Sequence, residues 1–327
     1  MTPPAIEVSH LTRSFGSLVA VDDISFRIES GQVAGFIGSN GAGKTTTMRI
    51  LATLDAPTSG HASILGHHVR DAPAQVRRQL GWMPDDFGAY DHMTVLEYLD
   101  FFARAYGFRG NERKERVEEI VSFTELGPLS DRFLKGLSKG MAQRLCLGRS
   151  LIHDPGVLIL DEPAAGLDPK ARIELKQLIR LLAEEGKTIL ISSHILSELG
   201  EMCDTLLFIN RGKIVHQGDP SSLQHRKEVH GVVRVSLVSP DWEALSDWAA
   251  TSPGVRLLDE TKTGARIEVE SPSPEVLARV LTRMLQAGLP VCDFHREERR
   301  LEDAFIEMVS ESEASFPKPP PPPPPAS

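Results

Sequence analysis

The segment Gly38-Ser39-Asn40-Gly41-Ala42-Gly43-Lys44-Thr45 has the form G-x-x-x-x-G-K-[ST], and few short patterns restrict a backbone so tightly. Before it, Val33-Ala34-Gly35-Phe36-Ile37 is a short apolar run suited to a buried strand. After it, Thr46-Thr47-Met48-Arg49-Ile50-Leu51 carries the apolar spacing of a helix start. Strand, glycine-rich loop and helix in that order make an anion cradle: glycines let successive N–H groups converge, and the helix N-terminus adds roughly half a positive charge. The phosphates of a nucleotide are therefore expected against Ser39, Asn40, Gly41, Ala42, Gly43, Lys44, Thr45 and Thr46. Lys44 is expected to reach the β- and γ-phosphates, and the Thr45 hydroxyl to ligate magnesium.

The rest of the composition narrows the class. With 327 residues, 41% hydrophobic and 25% charged, the chain has room for two ordinary globular domains. A formal net charge of -9 argues against a sequence-independent nucleic-acid binder, which needs a basic surface, so no nucleic-acid partner is expected. Cys146, Cys203 and Cys292 lie far apart and outside any C-x-x-C, which points away from disulfides and zinc and toward a reducing cytosol. Met1-Thr2-Pro3-Pro4-Ala5 lacks the basic and apolar parts of a signal peptide, and no run approaches the roughly 18 to 20 apolar residues that cross a bilayer. The chain is not expected to span a membrane itself.

From Ile6 to about Gly218 short apolar runs alternate with amphipathic stretches. Val33 to Ile37, Val157 to Leu160, Thr188 to Ser192 and Thr205 to Ile209 read as strands, with a helix over Pro169 to Glu184, which is the pattern of an α/β parallel sheet. Val19 to Ile28 and Ala62 to Val69 alternate like strands of an antiparallel portion beside the phosphate loop. Between Thr94 and Gln143 the sequence turns helical, best at Val95 to Phe102 and Arg113 to Phe123, so a helical insertion is expected over about 86–145 of a nucleotide-binding domain at 1–225. From there to about residue 310 the order β-α-β-β-α-β predicts a small α+β, ferredoxin-like second domain. A terminal helix over Leu301 to Val309 and a polyproline, disordered tail at 311–327 complete the expectation.

Two acids end the apolar run Val157-Leu158-Ile159-Leu160-Asp161-Glu162-Pro163, the arrangement that puts carboxylates at the carboxyl edge of a parallel sheet beside the phosphates. Asp161 is expected to hold magnesium through its water shell, and Glu162 to orient or deprotonate the attacking water. About two dozen residues earlier stands Leu137-Ser138-Lys139-Gly140-Met141. With the phosphate loop before it and the paired acids after it, this segment resembles the signature of ATP-binding cassette (ABC) ATPases, whose common form is LSGGQ. The resemblance covers roughly two-thirds of the chain and implies a P-loop NTPase cassette with a RecA-like parallel sheet.

Further roles follow from that resemblance alone. Ser138 and Gly140 would contact the γ-phosphate bound to a second copy of the chain. Ala165-Gly166-Leu167-Asp168 is similar to the loop that signals between the two ATP sites, His194 after Ser192-Ser193 to the switch histidine at the γ-phosphate, and Phe15 to the aromatic that stacks on adenine. Two positions depart from the pattern. Gly81-Trp82-Met83-Pro84-Asp85 has Asp85 where the family usually has Gln, an acceptor-only side chain that can coordinate magnesium. Met141 replaces the signature Gln, and Lys139 brings a charge that faces either the partner's phosphates or solvent.

The implied protein is an ATP- and Mg²⁺-dependent ATPase, a homodimer docked on the cytoplasmic face of the cell membrane against a separately encoded permease that alone contacts the transported substrate. The C-terminal domain resembles the extension on exporter ATPases for drugs, antibiotics or glycans. Two rival expectations are a soluble ABC ATPase of repair or translation and a low-turnover regulatory subunit.

Overall fold

The computed structural model describes residues 3–85, 88, 90, 92–200, 202–220, 230–239, 241–261 and 264–297, so the expected terminal helix and proline tail lie outside the described residues. The described chain divides into two units, the first ending at Pro220.

The first unit opens with β1 (Ile6–Phe15), β2 (Leu18–Ile28), β3 (Val33–Ile37), α1 (Lys44–Leu51), β4 (Ser59–Ile64) and β5 (His67–His68). It continues with α2 (Pro73–Gln79), β6 (Leu80–Met83), α3 (Val95–Ala105), α4 (Gly110–Phe123) and α5 (Lys139–Leu151). It ends with β7 (Val157–Leu160), α6 (Pro169–Glu184), β8 (Thr188–Ser193), α7 (Leu196–Gly200), β9 (Thr205–Asn210) and β10 (Lys213–Gly218).

These strands make two sheets. An antiparallel one has the order β2-β1-β4-β5; the other runs β10-β9-β3-β8-β7-β6, parallel except for the edge strand β10. Every residue of β3, β7 and β8 is buried, which is why β3, β7 and the centre of β8, Ile189 to Ile191, read as unbroken apolar runs and not as alternations. Helix α1 buries Met48, Ile50 and Leu51 in one core shared by Ile6, Val8, Leu11 and Phe26 of the antiparallel sheet and Phe36, Ile159, Leu190 and Leu207 of the parallel one. At about 25 cal/mol per Å² of apolar surface removed from water, a core continuous across both sheets fixes the loop that opens α1. The stretch Ala62 to Val69, expected as one strand, is divided by a turn at Leu65-Gly66, both with positive φ, and pairs with itself as β4 and β5. A leucine in the left-handed region is sterically uncommon, so alternation alone did not mark the break.

The helical segment is α3, α4 and the N-terminal part of α5. Thr94 and Glu97 close a capping box at the start of α3, satisfying two backbone donors that would otherwise be left open. Arg149 of α5 ties this segment to the parallel sheet: it donates to the Trp82 carbonyl of β6 and the Tyr98 hydroxyl of α3, and lies over the Phe102 ring. Just beyond α5, His153 stacks on Tyr106 with ring centroids 4.1 Å apart and donates from Nε2 to the Leu80 carbonyl at 3.0 Å. Burial pushes its imidazole below the usual value, against a smaller opposing effect of the Leu80 bond. The unfolded imidazole titrates near about 6.5, so the unfolded chain takes up this proton more readily than the folded one. Stability is expected to be fully present above that pH and to fall as pH drops through it. Urea midpoints at pH 7.5 and 5.5 check this: His153→Gln, which keeps an N–H donor, should show a smaller acid loss than the unaltered chain.

The second unit contains β11 (His230–Leu237), α8 (Trp242–Thr251), β12 (Val255–Thr261), β13 (Gly264–Glu270), α9 (Pro274–Gln286) and β14 (Val291–Arg296). Its sheet has the order β12-β13-β11-β14 with every neighbouring pair antiparallel, the ferredoxin-like arrangement. Leu245 of α8 and Val280 and Met284 of α9 cover Val233, Val235, Ile267 and Val269 in a core of its own. Among the described residues, no helix is long and apolar enough to cross a membrane.

Candidate nucleotide site

Register brings the chemistry to one edge. Ile37 of β3 pairs with Ser193 of β8, and Leu160 of β7 with Ile191, so the segments leaving these three strands emerge side by side at the carboxyl end of the sheet. From β3 the chain enters the phosphate loop. Gly43 caps α1 with φ 111, and a Cβ there would stand 2.6 Å from the Ala20 carbonyl, so both conformation and space require glycine. The Lys44 side chain is buried and curls back over the loop, its ammonium donating to the Gly38 carbonyl at 2.7 Å. Thr47 anchors the next turn through its hydroxyl to the Gly43 carbonyl.

From β7 come the two acids. Asp161 is 2% exposed, and its amide donates to the Met83 carbonyl of β6, next to the segment that carries Asp85. Burial pushes the Asp161 carboxyl above its ordinary value, while hydrogen bonds from Ser192 and Thr45 oppose that shift. Glu162 has φ 48, the left-handed region. Its Oε1 lies 3.3 Å from Lys44 Nζ and its Oε2 2.8 Å from His194 Nδ1, so the three side chains form one chain of contacts. A cleft of about 450 Å³ lies over them, lined by Ser39, Asn40, Gly41, Gly43, Lys44, Thr45, Thr46, Asp85, Glu162, Ala165 and His194.

The other residues expected from sequence lie elsewhere in the unit. Ala42 is buried behind the loop in the core. Phe15 ends β1 half-exposed, with the Arg13 guanidinium 4.4 Å from its ring centre. Ser138 caps α5 and Asp168 caps α6, each accepting a backbone N–H three residues on, and neither lines the cleft. Gly140 also stands outside it, packed so closely on α6 that a Cβ would meet that of Ala171 at 2.8 Å. Lys139 is exposed, in keeping with the solvent-facing alternative, and its ammonium lies beside Gly166 of its own chain. Ala165, expected only as part of the loop between ATP sites, lines the cleft, and one residue had no expected role: Ser192, whose hydroxyl joins the two acids. A serine closing an otherwise apolar strand was the available signal for Ser192.

A phosphate loop between β3 and α1, paired acids leaving β7 and a histidine beyond β8 define a P-loop nucleotide-binding cassette with an attached antiparallel sheet and helical segment. The ABC transporter family model matches residues 21–165. The probable multidrug ABC transporter ATP-binding protein YbhF of Escherichia coli is 36% identical over 219 residues, 67% of this chain and 38% of YbhF, so the chain spans well under half of that relative. Nod factor export ATP-binding protein I of Ralstonia nicotianae is 36% identical over 220 residues, covering 67% of this chain and 68% of its own. A solved ATP-binding subunit of an ABC transporter superposes with a TM-score of 0.62 at 30% identity, covering 68% of this chain and 92% of that one. The chain belongs to the ABC transporter ATP-binding proteins.

Proposed function

We propose that the chain is the ATP-hydrolysing subunit of an ABC exporter, working as a homodimer that drives a separately encoded permease from the cytoplasmic face of the membrane. The observation that carries this reading is the contact chain Lys44–Glu162–His194 at the floor of the phosphate-loop cleft. A loop that only packed a helix would have no reason to hold a buried lysine, a left-handed glutamate and a histidine in line.

The residues fit both ATP and magnesium. The cleft joins glycine amides, a helix N-terminus and a lysine, the donors that triphosphate oxygens need. Thr45, Asp161 and Asp85 offer only oxygen ligands, a hard set that suits Mg²⁺, and a bound cation would offset the burial that raises the Asp161 carboxyl. When bound there, magnesium would supply charge neutralisation at the phosphates. Lys44 leaves the Gly38 carbonyl to neutralise the β- and γ-phosphates. Glu162 orients the attacking water and accepts its proton, with His194 holding the other carboxylate oxygen and sensing the γ-phosphate.

The homodimer is inferred from what the cleft lacks: Ser138 and Gly140 sit at a helix N-terminus outside it, free to meet the phosphate of a second copy. The export direction is supported by the names of the relatives, and the permease alone is taken to contact the transported substrate. A mixing experiment tests the trans arrangement. Ser138→Ala and Lys44→Ala chains should each be inactive, while an equal mixture recovers hydrolysis up to about a quarter of the normal rate, since half of the dimers carry one intact site. No activity above either parent argues against shared sites.

A further inference from the structure

Ser192 is completely buried near the end of β8, two residues before His194. Its oxygen accepts the Glu162 amide at 2.8 Å, and its proton goes to Asp161 Oδ1 at 2.7 Å. The directions are fixed by chemistry: a backbone N–H can only donate, so the single hydroxyl proton must point at the carboxylate. One side chain therefore serves both acids. On Asp161 it orients the carboxylate. On Glu162 it anchors the amide of a residue whose backbone is left-handed at φ 48, a conformation that an L-residue keeps only where its surroundings enforce it. The strand end thus grips Glu162 twice, by its amide through Ser192 and by its carboxylate through His194 at 2.8 Å.

We propose that Ser192 is a positioning residue for hydrolysis, its hydroxyl setting the Asp161 carboxylate toward the cation and holding the Glu162 backbone in the turn that aims its carboxylate into the cleft. This rests on the ATPase reading above. Removing the hydroxyl should leave nucleotide capture by the phosphate loop intact, because Ser192 touches none of that loop's donors, and should impair cation binding and turnover together. A buried serine that merely satisfies its neighbours would instead lower stability and leave both untouched.

The test uses the full chain with Ser192→Ala and Ser192→Cys, the latter keeping the volume with a weak donor and acceptor. A fluorescent ATP analogue is titrated without divalent cation, Mg²⁺ is then titrated onto that complex, and kcat and KM are measured separately. In Ser192→Ala, cation-free nucleotide affinity should stay within about twofold, while half-saturating Mg²⁺ rises and kcat falls, each by roughly 10- to 100-fold as for lost supporting contacts at metal sites. KM should change far less than kcat. Ser192→Cys should fall between, and it answers the question if the alanine variant does not fold. Unchanged kcat and unchanged Mg²⁺ dependence in a folded variant overturn the proposal. Failure of the unaltered protein to bind the analogue or hydrolyse ATP overturns the ATPase reading itself.

Discussion

Glu162→Gln should bind ATP as the unaltered chain does and hydrolyse it roughly 10²- to 10⁴-fold more slowly, the range that a positioned general base contributes. Glutamine keeps the length of the side chain and an oxygen for His194 Nδ1, so the fold around φ 48 need not change. What disappears is the negative charge 3.3 Å from Lys44 Nζ. The ammonium is then held by the Gly38 carbonyl and the incoming phosphates without competition from a carboxylate, which favours the nucleotide-bound state. Slow turnover with undiminished binding should collect the protein as an ATP-locked dimer, seen as a shift in gel filtration on adding Mg-ATP. Hydrolysis at the original rate would remove Glu162 from the role of base.

Lys44→Ala should act on the other half of the cycle. A buried ammonium that bonds a loop carbonyl and faces a carboxylate is the one mobile positive charge lining this cleft among the described residues. A charge-assisted hydrogen bond contributes about 1.5–3 kcal/mol, so ATP affinity should drop by roughly 10- to 150-fold. Removing the lysine also leaves the Glu162 carboxylate, itself largely buried, without its neighbouring cation, which adds like-charge repulsion against the phosphates. Titration with a fluorescent ATP analogue measures the loss. Unchanged affinity would place Lys44 outside the phosphate site.

The parts of this fold that sequence made legible are those where chemistry and burial agree. The runs Val33 to Ile37 and Val157 to Leu160, and Ile189 to Ile191 within Thr188 to Ser192, are apolar because both faces of the parallel sheet are covered, and each lies in a strand. Glycines, a lysine and paired acids at strand ends named most of the cleft. Less legible was β1, the centre of the antiparallel sheet: its alternation is interrupted by bulges at each register shift, and His10 sits there at positive φ. β6 is only four residues long and the edge strand β10 has just Ile214 and Val215 as apolar residues, so neither stands out. Contacts between side chains distant in sequence were invisible by nature. Ser192 reaches Asp161 across 31 positions and Arg149 reaches Trp82 across 67, and no local spacing encodes either.

One arrangement within the first unit bears on how such a cassette could transmit force. Helices α5 and α6 meet where Gly140 leaves no room for anything larger beside Ala171, Arg144 is ion-paired with Glu174, and Lys139 rests on Gly166. Packing this close resists sliding. Ser138 and Asp168, which cap the two helices, are thereby yoked: in the proposed dimer, a displacement that carried one toward the second copy would carry the other with it, as two prongs of a single fork.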